Sequence, residues 1–62
     1  MSRDFTTMTR DFIATHMRSQ MDRMKNVLEH LEGEKPDGSY MAMSLRDLET
    51  NLRRIRKVCE TV

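Results

Sequence analysis

From Met41 to Val62 apolar residues recur at alternating intervals of four and three: Met41, Leu45, Leu48, Leu52, Ile55, Cys59 and Val62. That is an unbroken heptad seam, the pattern of a helix that lays one face on another helix. The preceding half repeats it at Met17, Met21, Met24, Leu28 and Leu31, with Ala14 one step further back. Between the two runs stands the segment Glu32-Gly-Glu-Lys-Pro-Asp-Gly-Ser39, which holds every Gly and Pro of the chain. Pro36 lacks a backbone donor and disfavours helix at Lys35, and Pro-Asp-Gly is a turn signal. No window alternates apolar and polar residues with β-branched enrichment, so no strand is expected.

The pattern predicts an all-α fold: an antiparallel two-helix hairpin forming a single domain over 1–62. Residues 1–8 are an N-terminal extension, 9–32 helix 1, 33–38 the turn and 39–61 helix 2. Gly33 is placed just past helix 1, where a left-handed backbone is expected. Ser39 or Ser44 is placed to cap helix 2, and Ser44 with Asp47 imitates a capping box. A turn centred near Pro36 stacks Leu31 on Met41, Leu28 on Leu45, Met24 on Leu48, Met21 on Leu52, Met17 on Ile55 and Ala14 on Cys59. Ile13, Val27 and Val58 lie beside this seam, so the apolar face is wider than two helices need. The expected remedy is a homodimer, closing a four-helix bundle.

Length sharpens that expectation. A chain of 62 residues buries only about 60% of its unfolded surface, and chains of this size commonly add disulfides, a metal or oligomerisation. The only cysteine is Cys59, which excludes an intrachain disulfide and fits a reducing compartment, the cytoplasm. No apolar run approaches the ~20 residues of a membrane span, so no membrane partner is expected.

Charged residues are 34% of the chain and nearly cancel, at net +1, which excludes a strong nonspecific polyanion binder but leaves room for a local basic patch. Arg46, Arg53, Arg54, Arg56 and Lys57 are the basic residues of helix 2, with Arg53 and Lys57 on one face, Arg46 adding to it and Arg54 on another, and they make nucleic acid a possible partner. Two-helix dimers can read paired RNA loops along one bundle face, and the expected architecture resembles Rop in this respect. The simpler reading of these residues is a solvated face whose neighbouring acids dilute the field.

Phe5, Met8 and Phe12 form a second apolar stripe, pointing well over 100° away from the Met17–Leu31 seam. They are candidate anchors for the groove of a partner protein, with His16 on the same side; alternatively they fold back over the open end of the bundle. In size and hairpin outline the chain is similar to the small co-chaperones of type III secretion.

Chemistry is sparse. His16 and His30 are fourteen residues apart on one helix, about 21 Å, and cannot share a metal within a chain. Met17, Met21 and Met24 invite a Cu(I) reading, but core positions and the flexibility of Met explain them. Cys59 reads as a small buried hydrophobe or, near a twofold axis, a redox link. No Ser/His/Asp or Cys/His set converges, so no enzyme, metal or cofactor is expected. The expected function is protein binding, as an adaptor, inhibitor or chaperone-like regulator, with nucleic-acid binding as the alternative.

Overall fold

The computed structural model describes residues 6–61. It contains two helices, α1 (Thr7–Leu31) and α2 (Gly38–Thr61), and no strand among the described residues. The helices contact one another along their length as an antiparallel hairpin.

Each boundary has a local cause. Thr6 caps α1: its hydroxyl accepts from the Thr9 amide at 3.1 Å, so the helix opens two residues before Thr9. At the other end, the Glu32 amide bonds the Leu28 carbonyl at 3.0 Å and the Gly33 amide the His30 carbonyl at 3.1 Å. No described glycine has a positive φ. The left-handed Gly33 expected from the sequence is therefore absent, because these two bonds end the helix in an ordinary backbone conformation. The cap of α2 is neither Ser39 nor Ser44. The Asp37 carboxylate accepts from the Ser39 amide at 2.9 Å, and the Asp37 carbonyl accepts from the Met41 amide at 3.0 Å. Ser44 is half-buried within the helix.

A clasp closes the turn end. The Asp37 amide donates to Nε2 of His30 at 2.8 Å, and the His30 ring packs on Tyr40 with centroids 4.4 Å apart. His30 is thus a structural residue.

The expected axial register matches the neighbours. Leu31 and Met41 line one groove with Leu28 and Leu45; Ala14 and Cys59 line another. The helices are rotated, however, relative to the expected facing. The contact on α1 runs through Ile13, Gln20 and Val27, turned by about 60° from the Met17–Leu31 line. On α2 it runs through Met41, Ser44, Leu48, Asn51, Ile55 and Val58, all buried or half-buried. Leu48 and Val27 are 3% and 6% exposed, and they are the only buried apolar side chains among the described residues. Between them and the open end, Asn51 donates its side-chain amide to the Gln20 carbonyl oxygen at 3.1 Å. Gln20 is itself 6% exposed.

The physical reason for the rotation is width. The apolar arc of α1 spans Ile13 and Val27 on one side and Met21 and Leu28 on the other, and a single partner helix covers only part of it. Turning the contact onto Val27 and Leu48, with Gln20 and Asn51 satisfying each other, leaves the long side chains of the Met17–Leu31 line outside.

Candidate functional site: two unlike faces beside the seam

The rotation divides the hairpin into two faces. One carries the apolar stripe that the sequence placed inside. Met21, Met24 and Leu28 are 66%, 55% and 52% exposed, and Met17, Leu31, Leu45 and Leu52 are close to half exposed. Seven side chains of this size, half open, present on the order of 700 Å² of apolar surface, beyond the 300–600 Å² typical of the largest patch on a monomer. Three shallow grooves follow one another along it: Arg10, Ile13, Ala14, Met17 and Cys59 at the open end, Met21, Met24, Lys25 and Leu28 in the middle, and Met24 to Leu48 near the turn.

The opposite face is mostly polar. Arg23 and Asp47 meet there at 3.7 Å, both well exposed, and His30 and Tyr40 cover its turn end. Near the open end it holds a cleft of about 140 Å³, lined by Phe12, His16, Asn51, Arg54, Ile55 and Val58. The Phe12 and His16 rings pack one turn apart with centroids at 4.3 Å. Phe12 remains 49% exposed and Met8, one turn earlier, 82%. Of the four residues expected to contact a protein, Phe12 and His16 share this cleft, Met8 stands exposed on the preceding turn, and Phe5 lies outside the described residues. Asn51, Ile55 and Val58 complete the cleft from α2. Spacing alone assigned Ile55 to the seam, and only the rotation of the helices reveals its second role.

The basic residues do not form one surface. Arg53 and Arg56 share a solvent-facing groove with Glu49 and Leu52, and Arg56 pairs with Glu60 at 4.0 Å. Arg54 lies on the other side of α2, in the Phe12 cleft. By helix periodicity Arg46 and Lys57 fall on the Arg53 side.

Among the described residues, no three His, Cys, Asp or Glu side chains lie close enough together to hold a metal ion. No helix among them is long and apolar enough to cross a membrane. No family model, curated protein or solved structure matches the chain.

Proposed function

We propose that this chain is a small non-enzymatic protein-binding module, an adaptor, inhibitor or chaperone-like regulator, acting through helix–helix contacts in the cytoplasm. The observation that carries the reading is the cleft beside Phe12. It is mainly apolar, open to solvent, lined on the α2 side in part by Arg54 and continued along α1 by the exposed Met8. An amphipathic helix seats one or two apolar anchors in such a groove and pairs its polar edge with the Arg54 charge. Neither Phe12 nor Met8 is buried in the interhelical contact, so fold economy does not account for them.

Serine substitution of Phe12 and Met8 tests this. The expected result is an unchanged helical spectrum and melting curve, together with loss of a partner that the unaltered chain retains in a pull-down from its native cell. Loss of folding would assign Phe12 to the core, and equal capture would remove the cleft from the interaction.

A second reading, a Rop-like nucleic-acid-binding regulator, is favoured by one observation: Arg53 and Arg56 face solvent together, with Arg46 and Lys57 on the same side of α2. Phosphate contacts make affinity fall steeply with salt. A gel shift across a salt series tests it, and absence of any salt-sensitive retention excludes it.

A further inference from the structure

We infer that the exposed methionine–leucine stripe is covered by a second copy of this chain, packed with its turn over the first copy's open end. The inference concerns the face opposite the Phe12 cleft and does not depend on what fills that cleft.

Three observations select the occupant and its direction. The first is area. The stripe offers on the order of 700 Å² per chain, close to the ~800 Å² per partner of a standard interface. Among the described residues of one hairpin, Val27 and Leu48 are the buried apolar ones. Two such residues leave a two-helix chain far short of the burial that a small domain needs. A partner required merely to remain folded has to be present wherever the chain is, and another copy satisfies that condition.

The second is shape. The stripe tapers: Ala14 and Cys59 are its small members, side by side at the open end, while Leu31 and Met41 close the turn end. A twofold axis parallel to the helices would stack small on small and large on large, leaving a void at one end and a clash at the other. An axis perpendicular to the helices, through the middle of the stripe, sets Ala14 against the second copy's Leu31, Met17 against its Leu28, and Cys59 against its Met41. Each layer then combines large and small side chains, as close packing requires.

The third is charge. Residues 7–20 and 53–61, the open half, carry six Lys or Arg against two Asp or Glu; residues 21–52, the turn half, carry four against seven. Turns at opposite ends lay the positive half of each copy over the negative half of the other. Arg10, at the open end of the stripe, then meets the second copy's turn, where Glu32 and Glu34 stand. Turns at the same end would lay like on like.

Sedimentation of the unaltered chain at micromolar concentration is expected to give twice the 7.4 kDa chain mass; a monomer overturns the proposal. Direction is read by mild oxidation. Met41→Cys, with Cys59 retained, is expected to yield a covalent dimer that the Met41→Cys/Cys59→Ser chain does not. Within one chain these two positions are eighteen residues apart on α2, about 27 Å, and cannot bridge. A Cys59–Cys59 crosslink in the unaltered chain would place both open ends together and overturn the arrangement. If Met41→Cys fails to fold, a spin label at the exposed turn, on Ser39→Cys/Cys59→Ser, decides instead. Labels near opposite ends of the bundle should lie roughly 30–40 Å apart by helix rise, and labels within 20 Å exclude the arrangement.

Discussion

Asn51 donates a hydrogen bond to Gln20 across the interhelical contact, 3.1 Å from nitrogen to oxygen, and no buried side-chain polar atom among the described residues lacks a partner. This part-buried pair has Leu48 and Ile55 on the neighbouring turns of α2, and it favours the rotation and register in which both amides are satisfied. A single polar layer specifying register is an established use of buried polar residues, at some cost in stability.

Replacing Gln20 or Asn51 alone by Leu should therefore destabilise the fold by about 1–3 kcal/mol, since the remaining amide is left without a partner. The double replacement should recover most of that loss. Urea titrations of the two single variants and the double variant measure the coupling, and additive losses would show that the bond contributes nothing specific.

Asp37→Ala should cost about 1 kcal/mol through loss of the α2 cap, while Ser39→Ala should lie within ~0.5 kcal/mol of the parent. Thermal melts of the two variants make the comparison, and the reverse ranking would return the cap to Ser39.

Leu48→Ala and Met21→Ala separate the inner contact from the outer stripe. Leu48 is 3% exposed, and truncating a buried Leu costs roughly 2–5 kcal/mol. Its effect should appear at every protein concentration. Met21→Ala should leave the hairpin contact intact and instead weaken association, displacing the curve of melting temperature against protein concentration to higher concentration. Melts over a hundredfold concentration range read both effects.

Removing the exposed Arg23–Asp47 pair should change stability by less than ~1 kcal/mol, because solvent screens both partners. A larger change on Asp47→Asn, measured against Arg23→Gln, would mean that the pair fixes the helices more firmly than its exposure implies.

The elements, their order and the layer in which each residue sits are legible in the sequence, because helix periodicity and one Gly/Pro segment determine them. The facing of the helices is not. Apolar spacing traces the most hydrophobic line, Met17 to Leu31, whereas the contact follows the line through Ile13, Gln20 and Val27. That line contains Gln20 on α1 and Ser44 and Asn51 on α2, residues that a hydrophobic count passes over. Ile13, Val27 and Val58, which the spacing marks only as flanking, belong to it. At the turn, Gly33 suggests a left-handed ending, but the ending is made by ordinary backbone bonds and by His30, whose imidazole takes the Asp37 amide. A ring nitrogen serving as an acceptor for a loop amide has no sequence signature. Of the site, Phe12 and His16 are readable from their offset relative to the seam; the α2 wall of the cleft becomes visible only once the rotation is known.

The clasp of His30, Asp37 and Tyr40 ties the hairpin at one end. At the opposite end Thr6 and Thr9 bond each other locally, within one turn of α1, and α2 reaches Thr61. Opening of a lone hairpin would thus proceed like a zipper, from the termini inward, and amide exchange should be slowest beside the turn and progressively faster away from it. Two copies laid head to tail would abolish that gradient, because each tied end would brace the other's loose one.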